Sequence, residues 1–223
     1  VRRARIVMPT VDGHFLKGEQ IGYMQISQFA EATTSQFDDA LRELEQNDLK
    51  GLVIDLRQNP GGLLETTIEM LSRFHEGKVA VKIRSREGAE EVARTFGGYK
   101  HDFSYPLAIL INSETASAAE IFTGNMKAYR LARVIGEHTY GKASVQRVFP
   151  LTGGSSAKVT IARYYLPGGE DISRRVDPDG IYLSGGLEPD IPFEMDPDDT
   201  AIELGDPVKD PQLAKAIRVL LGN

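Results

Sequence analysis

Two short runs of mostly apolar residues constrain the fold of this chain more than any other feature of its sequence. The runs span residues 51–56 and 107–111, and each is followed by turn residues and then by an amphipathic stretch. Apolar runs of this length are typical of strands that are buried on both faces, as in a parallel sheet. Because strand and helix patterns alternate along the chain, the sequence predicts right-handed βαβ units and an α/β fold.

Hydrophobic periodicity predicts the remaining elements. Phe37, Leu41 and Leu44 are spaced by four and three residues, which is typical of a helix. Residues 166–210 are rich in Pro, Gly and Asp, which indicates an irregular surface segment. The predicted helices are 33–46, 63–74, 117–129 and a last one after Asp210, and the predicted strands are 21–29, 51–56, 78–84, 91–96, 107–111, 133–135, 145–151 and 159–165.

The composition is that of an ordinary globular protein, with 223 residues of which 41% are hydrophobic and 26% charged. At this length we expect a single domain over residues 1–223. A formal charge of -6 argues against a nucleic-acid partner, because a phosphate backbone requires a basic surface. The chain has no cysteine, which excludes a thiol nucleophile and Cys-ligated zinc. Its apolar runs are shorter than the roughly 18 residues of a membrane-spanning helix.

Ser117 lies in a segment that predicts either a helix cap or a nucleophile. Ser117 and Glu120 match a capping box, which is the commoner role of a serine at a helix start. The same junction of strand and helix would favour a nucleophile, because the free N–H groups of a helix N-terminus stabilise a developing oxyanion. The segment alone does not decide between the two roles.

A nucleophilic serine needs a base, and a lysine is the better candidate here. The histidines lie in segments typical of surface or loop positions: His14, His75, His101 and His138. A lysine can serve only if burial keeps its amine neutral. Lys142 follows Gly141 between two predicted strands and is the candidate, and its alternative is a lysine in a surface turn.

The same lysine also fits part of a phosphate-binding loop. Gly136, Gly141 and Lys142 have the spacing of that loop up to its last position. That position is Ala143, which has no hydroxyl for magnesium, and a strand follows where phosphate binding needs a helix N-terminus. Nucleotide binding is therefore the weaker interpretation.

The third segment of interest, residues 57–62, reads Arg-Gln-Asn-Pro-Gly-Gly after a buried strand. Taken alone, Asn-Pro-Gly-Gly predicts a turn. Paired glycines also allow backbone N–H groups to approach a ligand closely, as an oxyanion hole requires.

Five stretches together resemble the carboxyl-terminal processing peptidases, also called tail-specific proteases, a serine protease family that uses lysine as its base. Each stretch is weak alone, but the five occur in the family's order and spacing across most of the chain. They are residues 22–29, 55–62, 115–120, 141–146 and 186–191.

The resemblance implies catalytic roles for three residues. Ser117 would be the nucleophile, Lys142 the general base and Gln146 the residue that orients the lysine. Residues four apart share one face of a strand, so Lys142 and Gln146 can both point toward the serine if the strand begins at the lysine. No cofactor and no metal are implied.

The resemblance also implies an oxyanion hole and a fold. The N–H group of Ala118, with that of Gly61 or Gly62, would form the oxyanion hole. The family's core is an α/β spiral of the crotonase and Clp protease type, built from ββα units with a small cap. We expect residues 1–20 and 78–104 to form that cap over the groove, because the predicted hairpin interrupts the βαβ succession.

Function, partners and location follow from the resemblance as expectations. It implies a serine endopeptidase that cleaves protein or peptide substrates with exposed C-termini, near those C-termini, through an acyl-enzyme. A homo-oligomer is left open, and the implied location is the cell envelope, periplasmic or secreted. The family commonly carries a PDZ domain upstream of its core, and we expect none in this chain. The competing interpretations are a non-catalytic peptide-binding module and a latent core that needs a PDZ domain.

Two residues depart from the family pattern. Ala143 follows the lysine where the family usually has glycine, a change that is tolerated unless the position needs a positive φ. Ala119 stands where the family often has serine, a change that removes a hydroxyl but no catalytic group.

Overall fold

A six-stranded sheet with helices on both faces forms the centre of the protein. The computed structural model describes residues 8–194 and 202–222. In chain order the elements are β1 (Val11–Leu16), β2 (Ile21–Ile26), α1 (Thr33–Leu44), β3 (Gly51–Asp55), α2 (Leu64–Leu71), β4 (Val79–Ser85), β5 (Glu90–Arg94), β6 (Leu107–Ile111), α3 (Ala118–Ala128), β7 (Arg133–Gly136), β8 (Ser144–Pro150), β9 (Ser156–Tyr165), β10 (Arg175–Val176), β11 (Tyr182–Ser184), β12 (Ile191–Pro192) and α4 (Pro211–Leu221).

The strand order of the main sheet is β1-β2-β3-β6-β7-β12. Neighbours from β2 to β12 run parallel, and β1 pairs antiparallel with β2 at one edge. The predicted mixed α/β fold with a mostly parallel sheet is confirmed. Because β3, β6 and β7 are parallel neighbours, the loops that follow them leave the sheet together at the carboxyl ends of the strands, where α/β proteins place their binding sites.

Alternation of side chains along the strands makes both faces of the sheet apolar. In β3, Leu52 and Ile54 pack on the side of α1, α2 and α3, whereas Val53 packs on the side of α4. All three side chains are buried. A strand covered on both faces needs a continuous apolar run, which explains why the runs in β3 and β6 were recognisable in the sequence.

A buried ionic cluster fastens α4 to the end of β3. Arg57 Nη2 lies 2.5 Å from a carboxylate oxygen of Asp55 and 2.5 Å from one of Asp210. The Tyr23 hydroxyl donates to Asp55 at 2.7 Å. Asp210 also caps α4, because its side chain accepts the Leu213 N–H at 3.0 Å. Each buried charge therefore has an opposite charge in hydrogen-bonding contact, the condition under which proteins tolerate such burial.

A second sheet, with the order β5-β4-β9-β8, contains the predicted hairpin. β4 and β5 pair antiparallel as expected, and β4 pairs on its other side with β9. β8 pairs with β9 and begins at Ser144, two residues after Lys142. The second sheet therefore connects part of the predicted cap to the segment that carries the predicted base.

The N-terminal part of the predicted cap lies in the main sheet. Residues 1–7 are outside the described residues, and residues 11–16 form β1, which pairs along its whole length with β2. Val11 and Phe15 pack against the core under α1, α2 and α3. The sequence pattern predicts no strand here, because Gly13 interrupts an already weak alternation. That residues 78–104 cover the groove stays a prediction.

Residues 166–194 follow the irregular path that was predicted, with three short strands added. β10 and β11 pair with each other, and β12 extends the main sheet beside β7. Residues 195–201, also predicted as irregular, lie outside the described residues.

His75 lies in a loop, one of the two positions predicted for it, but it is not at the surface. The residue is 6% exposed, and its ring packs edge-on against Tyr129. Its Nδ1 lies 3.2 Å from the Thr95 hydroxyl. Burial lowers the pKa of His75 to about 4, so the buried ring is neutral at pH 7.

Candidate active site

The loops that follow β3, β6 and β7 meet at one edge of the main sheet. The Ala116 N–H donates to the Asn59 carbonyl at 2.9 Å, and the Tyr140 N–H donates to the Thr115 carbonyl at 3.0 Å. These contacts bring together the stretches in which we predicted the oxyanion hole, the nucleophile and the base. The three stretches are far apart in the sequence and form one site only through the order of the parallel strands.

Ser117 has a backbone conformation that is rare for residues other than glycine. Its φ is 56° and its ψ is -117°, and the residue directly precedes α3. Such strain costs stability and concentrates at functional sites, and it is typical of a nucleophile held on a sharp turn before a helix. The conformation favours a catalytic role for Ser117 over a purely capping one.

Gly61 lets the loop after β3 lie directly against Ser117. A side chain on Gly61 would place its Cβ 2.8 Å from Ser117 Cβ and 2.8 Å from the Ala118 nitrogen. The φ of Gly61 is +102°, a value that side chains also disfavour. Glycine at this position is therefore required both by space and by backbone conformation.

Two of the three predicted oxyanion-hole residues have free N–H groups. Ala118 is the first residue of α3, so its N–H has no acceptor within the helix. The Gly62 N–H has no acceptor among the described residues. The Gly61 N–H, in contrast, donates to Asn59 Oδ1 at 2.8 Å. Of the two glycines that the sequence left open, Gly62 is the one whose N–H remains available.

Glu120 connects the serine segment with the lysine segment. The N–H groups of Ser117 and Lys142 each donate to Oε2 of Glu120 at 2.8 Å. Oε1 accepts the Thr139 hydroxyl at 2.5 Å and the Gly141 N–H at 2.7 Å. Burial raises the pKa of Glu120, and these hydrogen bonds act in the opposite direction. The Gly141 and Lys142 N–H groups therefore donate to the Glu120 carboxylate. A phosphate-binding loop would need these N–H groups for its phosphate ligand.

The structure brings the backbone of Lys142 to that of Ser117, but not the amine to the hydroxyl. In the part of the chain that the structure describes, no hydrogen bond joins Lys142 Nζ to Ser117 Oγ. Lys142 instead lines an open cavity of about 720 Å³ together with Ser144, Arg163 and Arg174. Catalytic hydrogen bonds are often long or poorly aligned in an enzyme without substrate, so the missing bond does not exclude Lys142 as the base.

Gln146 is exposed on β8 and makes no hydrogen bond to Lys142 among residues 8–194 and 202–222. Because β8 begins at Ser144, Lys142 lies outside the strand, and the rule that residues four apart share a face does not apply to this pair. The β8–β9 register also shifts between Val145 and Gln146. The orienting role of Gln146 stays a prediction.

Tyr164 is a site residue that the sequence analysis missed. Its N–H donates to the Ala143 carbonyl at 2.9 Å, and its ring packs against the small apolar cluster that contains Ala143. Burial raises the pKa of Tyr164, and an interaction with the Ser117 side chain acts in the opposite direction. A tyrosine within a strand pattern ordinarily indicates packing, so no sequence signal distinguishes a phenol that interacts with the serine from one that only packs.

The two departures from the family pattern fit the structure. Ala143 is 3% exposed and does not belong to the non-glycine residues with positive φ in the described part of the chain. Ala119 is fully buried in the core beneath α3. Neither position requires the residue that the family usually has there.

No histidine of the described chain contacts Ser117. Within the same residues, no group of three or more His, Asp or Glu side chains could hold a metal ion. Each histidine ring has a hydrogen-bonding partner elsewhere: Asp12 for His14, Thr95 for His75, Glu45 for His101 and Tyr182 for His138.

Comparison with known proteins identifies the family. The profile described as peptidase family S41 matches residues 20–192, a range that includes all the predicted site residues. The chain belongs to peptidase family S41. This membership confirms the resemblance found in the five sequence stretches.

Two curated relatives of this S41 chain carry processing-protease names. The chain is 34% identical over 198 residues to the carboxy-terminal processing protease CtpB of Bacillus subtilis (strain 168), covering 87% of the chain and 39% of that protein. It is 32% identical over 196 residues to a "Probable CtpA-like serine protease" of Staphylococcus aureus (strain N315), covering 87% of the chain and 37% of that protein.

A solved structure shows the same relationship. The photosystem II D1 C-terminal processing protease superimposes with a TM-score of 0.68 and 30% identity, over 90% of this chain and 46% of that one. The S41 chain thus spans less than half the length of these relatives. Its described residues include no helix that is long and apolar enough to cross a membrane.

Proposed function

We propose that this chain is the catalytic core of a serine endopeptidase. The observation that carries the proposal is the strained Ser117 directly before α3, which lies against Gly61, is followed by the free N–H of Ala118, and is linked to the backbone of Lys142 through Glu120. Membership of peptidase family S41 supports the same reaction class. The names of the relatives support cleavage near the C-termini of protein or peptide substrates.

In the proposed mechanism, the neutral Lys142 amine removes the proton of the Ser117 hydroxyl as Oγ attacks the peptide carbonyl carbon. The N–H groups of Ala118 and Gly62 stabilise the oxyanion of the tetrahedral intermediate. As the C–N bond breaks, the lysine returns its proton to the leaving amine, and an ester of Ser117 remains. Water then attacks the ester carbonyl carbon and gives a proton to Lys142. As the ester bond breaks, Lys142 passes this proton to Ser117 Oγ, which releases the acid and restores the serine hydroxyl and the neutral amine.

The Lys142 amine must come within hydrogen-bonding distance of Ser117 Oγ for this reaction, because no hydrogen bond joins the two among the described residues. The cavity beside Lys142 gives the side chain room to change rotamer, and its backbone is already fixed by Glu120. We propose that the Gln146 side chain forms a hydrogen bond with the Lys142 amine only when that amine lies next to Ser117.

A fluorophosphonate probe followed by peptide mapping tests the proposal. The expected result is modification of the peptide that carries Ser117, with no modification in Ser117→Ala and almost none in Lys142→Ala. Ser113→Ala is the matched control, since this serine lies in the same loop and should not affect labelling. Modification at another residue, or equal labelling of Lys142→Ala, would refute the Ser–Lys assignment.

The absence of a hydrogen bond between Lys142 Nζ and Ser117 Oγ among the described residues favours one alternative, a latent core whose Ser–Lys pair forms only when another part of the protein, such as a PDZ domain, is present. In that case the probe would label the longer protein but not this chain. A non-catalytic peptide-binding module would be labelled in neither.

Two further proposals concern fold and location. The parallel sheet with the second sheet beside it supports a ββα spiral core of the crotonase and Clp protease type, with β4 and β5 in a cap. The processing proteases among the relatives support a location in the cell envelope, periplasmic or secreted. Fractionation of cells that express the parent protein tests the location.

A further inference from the structure

Four hydrogen-bond donors from two separate segments converge on the side chain of Glu120. One donor is the Ser117 N–H, and the other three are the Thr139 hydroxyl and the N–H groups of Gly141 and Lys142. The Glu120 side chain has no solvent exposure. Each carboxylate oxygen accepts two of the four donors.

We propose that Glu120 is a positioning residue of the active site, which fixes the backbone of the nucleophile Ser117 relative to the backbone of the base Lys142. This inference rests on the proposed Ser–Lys function. Oε2 is the shared acceptor of the Ser117 and Lys142 amides, so one atom fixes both residues relative to each other.

Capping alone does not explain these contacts. A capping box needs the side chain of the third helical residue to accept only the N–H of the residue before the helix, here Ser117. Three of the four donors come instead from the lysine segment, 19 to 22 residues further along the chain. The arrangement therefore joins two loops, which is more than a cap requires.

The chemistry of the site specifies a carboxylate. All four hydrogen-bonding partners of the Glu120 side chain among the described residues are donors, and an ionised carboxylate accepts at both oxygens. Glutamine has one accepting oxygen, and its NH₂ group would face two donors in place of the other. Glutamine at this position would therefore lose the contacts of one oxygen whichever way its amide is oriented.

Thr139 extends the connection to the stretch 186–191, to which the mechanism assigns no role. Its hydroxyl donates to Glu120 and accepts the Leu187 N–H at 2.7 Å. Gly186 lies so close that an added Cβ would come within 2.3 Å of the Thr139 carbonyl oxygen. The stretch 186–191 therefore contacts Thr139 of the lysine segment, on which the hydrogen bond from Thr139 to Glu120 depends.

The test compares Glu120→Gln with Glu45→Gln. Glu45 also accepts two side-chain hydrogen bonds, from His101 and Tyr105, but lies outside the site, so it controls for the loss of a bonded carboxylate. We expect Glu120→Gln to lower the maximal rate of labelling by a fluorophosphonate, and kcat, by about 100-fold, because small displacements of reacting groups have effects of this size. KM and the probe concentration for half-maximal rate should change little, since the groove remains.

A second pair of variants applies if Glu120→Gln does not fold. Thr139→Val removes one donor and keeps the shape of the side chain, whereas Thr139→Ser keeps the hydroxyl. We expect Thr139→Val to lower the maximal labelling rate several-fold and Thr139→Ser to restore it, which a loss of packing would not explain.

The outcomes separate this inference from the proposed function. If the wild-type protein labels at Ser117 while folded Glu120→Gln and Thr139→Val label at the wild-type rate, Glu120 is only a cap. A loss that appears in KM, with an unchanged maximal rate, also overturns the positioning role. If no form of the parent protein labels at Ser117, the proposed function itself fails.

Discussion

At the scale of the residue, Ser117 has to adopt a strained backbone conformation and also supply the nucleophilic hydroxyl. Its φ of 56° and ψ of -117° suit glycine better than any other residue. We expect Ser117→Gly and Ser117→Ala to be equally inactive, but the glycine variant to be more stable by about 1 kcal/mol, since relief of strain exceeds the entropy cost of glycine. Urea unfolding of both variants measures the difference. An alanine variant of equal or higher stability would show that the backbone is not strained.

Lys142 tests which chemical property of the base matters. Lys142→Arg keeps the positive charge, but a guanidinium cannot give up a proton near neutral pH and so cannot accept one from serine. We therefore expect Lys142→Arg to be as inactive as Lys142→Ala in cleavage of an unfolded protein. Lys158→Arg, at an exposed position on β9, is the control and should retain wild-type activity. Near-normal turnover by Lys142→Arg would show that Lys142 is not the general base and is only a residue of a surface turn.

At the scale of the element, the Asp55–Arg57–Asp210 cluster joins α4 to the strand that precedes the oxyanion loop. Arg57→Met would leave two buried carboxylates without their cation, and removing one partner of a buried ion pair costs about 3 to 5 kcal/mol. We expect a loss of this size in the free energy of unfolding measured with urea. Arg42→Met removes an exposed partner of Asp39 and should cost less than about 1 kcal/mol. Similar losses in the two variants would contradict the role of the cluster.

The same elements show how far the sequence could predict this structure. β3 and β6 were predictable because burial on both faces imposes continuous apolar runs, and α1 because it has a single apolar stripe. β1 was not predictable because it lies at the edge of the sheet with exposed or half-buried side chains, and Gly13 interrupts its weak alternation. Ser117 and Lys142 were predictable as candidates, whereas the contact of Tyr164 with Ser117 depends on how β9 is placed by tertiary packing, which local sequence does not encode.

At the scale of the whole molecule, the candidate site lies where the two sheets meet. Gly61 and Ser117 lie in loops that follow strands of the main sheet, and Ala118 begins α3, whereas Lys142 lies two residues before β8 of the second sheet. A small rotation of the second sheet would therefore carry the lysine toward or away from the serine. Glu120 restrains the Lys142 backbone against such a rotation, so the remaining freedom belongs to the lysine side chain.

The stability of the whole molecule should depend on pH through His75. Burial lowers the pKa of this histidine from 6.5 to about 4, and its Nε2 has no hydrogen-bond partner among the described residues. Between pH 6.5 and 4 the unfolded chain binds a proton that the folded protein excludes, so stability is lost as the pH falls through this window. A shift of this size corresponds to about 3 kcal/mol.

We expect His75→Gln to lose less unfolding free energy than the wild-type protein between pH 7 and pH 4, by up to that amount. His14→Gln, at an exposed position, should follow the wild-type curve. Parallel curves for His75→Gln and the wild-type protein would show that His75 takes up its proton in the folded state as readily as in the unfolded one.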